Sequence, residues 1–278
     1  MKIRVGLIQS SYSNNQEENQ EKVLDYIAQS SALGAQIILP SELYLNHYFC
    51  KTQDESCFAY AHEAFNNKFL AQIQDICRKL GVVVPFSFFE KDGPSYYNSV
   101  ACIDADGSNL GVYRKSHIPD GPGYQEKFYF RPGNTGFKVF ATKYARLGVA
   151  ICWDQWFPEA ARIMTLKGAQ MLLYPTAIGS EPHAPELNTK EPWRRVMRGH
   201  AVANMIPLAA SNRIGVEDGQ SFYGGSFVCD EFGEYLLNFG QEDGVKVCDV
   251  DLSRASRRRD AFGFFRDRRV ELYDELLK

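Results

Sequence analysis

What the 278-residue sequence lacks narrows it first. No apolar run approaches the ~20 residues that a membrane-spanning helix needs, so no membrane partner is expected. Lys and Arg number 31 against 34 Asp and Glu, a net charge of −3, and that balance gives no reason to expect nucleic acid. None of the seven cysteines, at 50, 57, 77, 102, 152, 229 and 248, forms a Cys-x-x-Cys pair. An odd, scattered set indicates neither a disulfide framework nor a zinc site, and no metal is expected. Free thiols suit a reducing cytoplasm. A strand pattern that starts at Met1-Lys2-Ile3-Arg4-Val5 leaves no room for a signal peptide, so a cytoplasmic location is expected. No composition shift, linker or internal repeat divides the chain. Hydrophobic residues at 45% and charged residues at 23% then point to a globular protein with an ample core.

Periodicity supplies the elements. Strands are expected over 3–8, 36–39, 82–89, 97–103, 110–113, 137–140, 146–151, 170–174, 207–211, 226–230, 235–239 and 245–252. Helical spacing covers 14–31, 65–80, 158–167 and about 192–204. Two long stretches, 115–134 and 178–190, show no period, and loops of that length in a compact domain are usually functional. The arginine-rich tail, 253–278, interleaves Asp and Glu, which favours a solvated or subunit-facing segment over a nucleic-acid contact. Mixed βα units and hairpins argue for one α/β domain over 1–278, with two sheets or one large mixed sheet.

The chemistry gathers around Gly148-Val149-Ala150-Ile151-Cys152-Trp153-Asp154. Cys152 is expected at the end of a strand and just ahead of a helix that starts with Pro158. A helix N-terminus there would favour a thiolate and an oxyanion. A lone cysteine is more often a buried structural thiol. Two further reactive types also follow apparent strands: Glu42 after 37–40 and Lys115 after 112–114. Sites in open α/β sheets lie beyond the carboxyl ends of strands, so the three can converge. A thiol nucleophile needs a base, which a buried carboxylate provides. A fixed lysine cation and the N–H of Trp153 would stabilise the oxyanion formed at an amide-like carbonyl. Only His117 and His200 stand near plausible site loops, which makes a Cys-His protease the weaker reading.

These residues with their flanks, Pro40-Ser41-Glu42-Leu43, Tyr113-Arg114-Lys115-Ser116-His117 and Ile151-Cys152-Trp153-Asp154, resemble the nitrilase superfamily of carbon–nitrogen hydrolases. The resemblance runs nearly end to end. It departs slightly at Asn134, where Asp would be expected. The resemblance implies a single-domain, four-layer αββα sandwich. It also implies Glu42 as general base, Lys115 as oxyanion partner, Cys152 as nucleophile and Glu126 as a second carboxylate beside the lysine. Homodimers or higher homo-oligomers follow from it too, with the tail at 253–278 packing on a partner subunit. No cofactor is implied.

Within the superfamily, the stretches 115–130, 152–158 and 174–182 resemble amidases of carbamoyl amines, small molecules such as N-carbamoylputrescine. That substrate joins a neutral ureido group to a four-carbon chain ending in an ammonium. It calls for an apolar channel with an anion at its far end. Asp120 and Glu181 are the candidate anions, Glu181 preferred. Tyr48, Tyr124, Trp153, Trp156, Ala177 and Trp193 are candidate walls and contacts. A β-ureidopropionase or an ω-amidase stays open as an alternative, and Arg194, Arg195 and Arg198 would suit a carboxylate-bearing substrate. A non-catalytic binding protein or a redox-sensing thiol protein on the same scaffold also stays open.

Overall fold

A computed structural model describes residues 1–184 and 186–278. In chain order the elements are β1 (Lys2–Gln9), α1 (Gln16–Ala32), β2 (Ile37–Leu39), β3 (His62–Glu63), α2 (Lys68–Leu80), β4 (Val84–Asp92), β5 (Ser95–Ile103) and β6 (Asn109–Arg114). There follow β7 (Lys138–Ala141), β8 (Arg146–Val149), α3 (Pro158–Leu166), β9 (Met171–Pro175), α4 (Lys190–Asn204) and β10 (Leu208–Ser211). The last are β11 (Ile214–Glu217), β12 (Gln220–Tyr223), β13 (Phe227–Cys229), β14 (Tyr235–Asn238), β15 (Gly244–Asp251) and α5 (Leu252–Phe262).

Strand alternation builds two facing sheets. In β1, Ile3, Val5 and Leu7 point inward while Arg4 faces out and pairs with Asp249 on β15. The order β15-β1-β2 continues through a parallel bridge between Ile37 and Val83 into β4-β5-β6. The second sheet runs β14-β13-β10-β9-β8-β7, with β8, β9 and β10 parallel. Ile3, Val5, Leu7 and Val100 of the first sheet share one core with Leu147, Val149 and Leu172 of the second. Helices close the outer faces. Val23, Ile27, Phe69 and Ile73 from α1 and α2 pack on Ile8, Ile38 and Phe86. On the far side, α3 and α4 cover β8 and β10 with Ala161, Met164, Met197 and Ala201. The four layers are αββα, as the resemblance implied.

The helix ends follow local rules. Asn15 accepts from the N–H groups of Glu17 and Glu18 and so caps α1, and Asn67 does the same for α2. That cap starts α2 three residues later than its periodicity suggests and leaves Phe65 outside, 90% exposed. Gly81 ends α2 with φ +70°, where a side chain would be strained.

Two segments differ from expectation. The β11–β12 hairpin shows no clean apolar alternation because it buries the polar Glu217 and Gln220 together with Ile214 and Phe222. The tail is helical at first: Asp251 caps α5, which buries Leu252 and Ala255. Arg254 and Arg258 pair with the buried Glu231 of the same chain, so these charges are satisfied internally. All seven cysteines are free. Among the described residues no helix is long and apolar enough to cross a membrane, and no cluster of His, Cys, Asp and Glu could hold a metal ion.

Candidate active site

The loops beyond the strand ends bring positions 42, 115 and 126 into one buried cluster. Glu42 lies three residues past β2, and its backbone N–H reaches Thr176 O at the end of β9, joining the two sheets. Lys115 directly follows β6, where its N–H is held by Asn98 O at 2.8 Å. Glu126 sits on a short 3₁₀ turn, Glu126–Phe128, within the long loop that begins there. Lys115 Nζ donates to Glu42 Oε1 at 2.9 Å and to Glu126 Oε2 at 2.6 Å, and these side chains are 0–1% exposed.

Further partners hold each carboxylate. Asn98 Nδ2 donates to Glu42 Oε1 at 2.6 Å, and Tyr48 OH donates to Glu126 Oε1 at 2.8 Å. Glu42 Oε2 is buried with no hydrogen-bond partner. An open acceptor of this kind is costly unless something comes to occupy it.

Cys152 opens a 3₁₀ turn, Cys152–Trp156, with φ +40°, a left-handed backbone that a non-glycine residue adopts only under constraint. The constraint is Asp154. Its Oδ2 accepts from Ile151 N–H at 3.0 Å and Tyr113 OH at 2.6 Å, and its Oδ1 accepts from His117 N–H at 3.0 Å. His117 Nδ1 lies 2.7 Å from the same oxygen. One buried carboxylate thus ties the Cys152 turn to the loop that carries Lys115. The first N–H groups of such a turn, those of Cys152 and Trp153, have no internal partner.

Helix α3 starts at Pro158, as expected, and the 3₁₀ turn Cys152–Trp156 separates it from the strand end. A resting thiolate is nevertheless not favoured. Burial pushes the Cys152 thiol well above its ordinary value; the charge of Glu42 adds to this, and Lys115 opposes it. Burial likewise raises Glu126, against the pull of Lys115. Burial would lower Lys115, but the charges of Glu126 and Glu42 outweigh it and hold the lysine protonated. Cys152 and Glu126 line the same cavity, which sets the sulfur beside this cluster. Its Sγ also donates to Ala177 O at 3.7 Å.

The thiol opens onto a cavity of about 480 Å³. The buried Glu126, Cys152 and Ala177 make its inner lining, and the more exposed Tyr124, Trp153 and Trp156 its sides. Tyr124 OH accepts from Gly179 N–H at 2.9 Å, which fixes the ring as a wall. Asp120, exposed, and Glu181, half-buried, line the same cavity with His183. Burial raises the carboxyl of Glu181, and His183 partly offsets this. Glu181 has no side-chain partner among the described residues.

Two expected wall residues lie elsewhere. Tyr48 is 1% exposed and stands behind Glu126, bound to it through the hydroxyl. Trp193 is fully buried against Tyr223 and Phe227, because α4 turns its apolar face to the sheet. Arg194 and Arg198 also turn away, stacking on Tyr235. Asn98 and Asp154 were not singled out as functional residues from the sequence. The signal for Asn98 was present: an amide within a strand that is otherwise aromatic, aliphatic or small.

Comparison with known proteins agrees with this geometry. A carbon–nitrogen hydrolase family model matches residues 4–260. A citrullinase from Francisella tularensis is 50% identical over 99% of this chain and 98% of its own length. An N-carbamoylputrescine amidase from Arabidopsis thaliana is 51% identical over 99% and 95%. The crystal structure of a carbon–nitrogen hydrolase from Helicobacter pylori G27 superposes with a TM-score of 0.93 at 37% identity, covering 100% of this chain and 99% of that one. An amidase from Nesterenkonia sp. superposes at 0.81 with 26% identity over 98% and 96%, and carries the acetamide moiety of fluoroacetamide added covalently at its active-site cysteine. The chain belongs to the carbon–nitrogen hydrolase family and is a hydrolase of amide-type C–N bonds.

Proposed function

We propose that this hydrolase cleaves N-carbamoylputrescine to putrescine, carbon dioxide and ammonia. The observation that carries the reading is a cavity lined by Cys152 and Glu126, with the Lys115 ammonium gripped by Glu42 and Glu126 behind that lining and Glu181 in the wall. The inner end suits a neutral ureido group, the aromatic sides suit four methylenes, and the carboxylate suits a terminal ammonium.

The mechanism runs through Cys152, Glu42 and Lys115. Because burial keeps Cys152 a thiol at neutral pH, attack needs a base at the moment of bond formation. The sulfur adds to the ureido carbon while the free oxygen of Glu42 takes its proton. The oxyanion develops between Lys115 and the N–H of Trp153. The C–NH₂ bond breaks as Glu42 returns the proton to departing ammonia. Water then adds to the thiocarbamate with Glu42 again accepting a proton. The C–S bond breaks, the thiol is restored, and the released carbamate loses carbon dioxide to give putrescine.

Citrulline is a second reading, favoured by the half-identical citrullinase. Its carboxylate would enter a cavity that has Asp120 and Glu181 in its wall and no Lys or Arg among the described lining residues. Ammonia release across N-carbamoylputrescine, citrulline, N-carbamoyl-β-alanine and glutamine tests the choice. The carbamoyl amine is expected to lead in kcat/KM by about 10²-fold or more, the scale that an unpaired buried charge imposes. A preference for either carbamoyl amino acid would reverse the reading.

A cytoplasmic homo-oligomer completes the proposal. It is supported by the free thiols and by the exposed apolar residues beyond α5, among them Leu276 and Leu277, which a partner subunit would cover. Sedimentation at monomer mass would argue against the oligomer.

A further inference from the structure

Behind the cavity, outside the residues that line it, lies an ion pair that the chemistry above does not use. Arg213 and Glu217 have side chains 0% and 1% exposed, with Nη1 and Oε2 2.6 Å apart. Arg213 stands where the chain leaves β10 for the β11–β12 hairpin. Every N–H direction of its guanidinium is taken up. Nε and Nη2 donate to Glu42 O at 3.2 and 2.9 Å, and Nη2 also donates to Leu43 O. Nη1 donates to Asn46 O at 2.9 Å as well as to Glu217.

The carbonyls held this way belong to the turn that carries the proposed base. Leu43, directly after Glu42, has φ +49°, a conformation that costs a non-glycine residue energy and persists only where the surroundings enforce it. Arg213 enforces it from the carbonyl side, and Ser87 Oγ accepts Leu43 N–H at 2.9 Å from the other. Glu217 extends the same control to the second carboxylate. Its Oε2 accepts from Tyr48 N–H at 2.7 Å, and Tyr48 OH donates to Glu126. Its Oε1 accepts from Tyr12 N–H at 3.2 Å.

Stability alone is a weak reason for a buried ion pair, since desolvation offsets much of the attraction and apolar residues often serve as well. Guanidinium geometry is specific here: a planar fork reaches three separate carbonyls and a carboxylate at once, which a lysine ammonium cannot do.

We propose that Arg213, oriented by Glu217, is a positioning residue for the hydrolase. It fixes the backbone of Glu42, and through Glu217 that of Tyr48, so that both carboxylates meet Lys115 before substrate arrives. This rests on the proposed roles of Glu42 and Glu126. Neither Arg213 nor Glu217 touches substrate, so their loss changes the rate of chemistry and leaves binding intact.

The test compares Arg213→Lys and Glu217→Gln with wild type on whichever amide or urea the wild type hydrolyses fastest. Initial rates are taken well below each melting temperature and expressed per folded molecule, with the folded fraction from circular dichroism. Arg213→Lys is expected to lose about 10²-fold in kcat with KM within about 3-fold, the effect of roughly an ångström of misplacement. Glu217→Gln keeps a side-chain oxygen and is expected to lose about 10-fold in kcat, again at constant KM. Unchanged kcat per folded molecule in both variants, whatever happens to their melting, overturns the proposal, and so does a loss confined to KM. If Arg213→Lys does not fold, Glu217→Gln decides by the same criterion. A wild type that prefers another substrate removes the substrate reading and leaves this comparison standing. A Glu42→Gln control that retains turnover removes the proposed base itself.

Discussion

Replacing Glu181 by Gln isolates the charge that is proposed to select an amine. The side chain keeps its size and hydrogen-bonding reach, so the change removes little but the negative charge. Two unit charges about 4 Å apart attract by ~4 kcal/mol at an effective dielectric of 20 and by ~1 kcal/mol in water. Glu181 is half-buried at the cavity wall, and solvent screening places the pair between those limits, near ~2 kcal/mol. That corresponds to a rise of about 30-fold in KM for N-carbamoylputrescine with kcat little changed. N-pentylurea, of equal length with a methyl in place of the ammonium, should change by no more than about 2-fold. The assay is ammonia release from both compounds at low and at moderate salt, and the difference should shrink as salt rises. A pH signature accompanies it. Burial raises the carboxyl of Glu181, so as pH falls through that raised value the carboxylate is protonated and the ammonium loses its partner. Wild-type kcat/KM for the ammonium substrate should therefore carry an acid limb at higher pH than an ordinary glutamate would give. N-pentylurea, and either substrate on Glu181→Gln, should lack it. Equal losses on the charged and the neutral urea would refute the reasoning and remove Glu181 from the site.

Other substitutions probe the inner end. Cys152→Ser and Glu42→Gln should each lower turnover by about 10³-fold or more while melting stays near that of the wild type, and near-full activity in either would end the mechanism. Glu42→Gln should also lower the Cys152 thiol toward its ordinary value, because the charge of Glu42 helps hold it up. Thiolate absorbance followed through alkaline pH, with Cys152→Ser subtracted, should then show the Cys152 thiolate forming at lower pH in the variant, and a higher midpoint would contradict the charge argument. Gly133→Ala should disturb the Lys115 loop, since a Cβ at 133 would lie 2.1 Å from Arg114 O and 2.8 Å from Lys115 O. Overpacking of that kind costs about 1–3 kcal/mol, read as a lower melting temperature together with reduced kcat.

Much of the molecule is determined by short-range pattern. Alternation of Ile3, Val5 and Leu7 with Arg4, the apolar run 100–103, the capping asparagines and the Pro at the head of α3 are local signals, and local backbone physics reads them directly. Glu42, Lys115 and Cys152 are legible as reactive residues after strands. Which residues surround them is not, because a strand end specifies where a side chain begins and leaves its neighbours open. The β11–β12 hairpin escaped because its buried residues mix Glu217 and Gln220 with Ile214 and Phe222. The first part of the tail escaped because its arginines resemble solvent-facing charge until Glu231 is seen beside them.

The sequence by itself determined most of the strand-and-helix order, the three reactive residue types and the absence of any zinc-type cysteine spacing, because each depends on neighbours in the chain. Only the tertiary structure decided that Tyr48 backs Glu126 while Trp193 fills the core. The same holds for Asp154, which ties two distant loops, and for Arg213, which grips the turn of Glu42 from 171 residues away. Hydrogen bonds of that separation leave no periodic trace, since they arise where two sheets close on each other and most buried polar groups find partners across the chain.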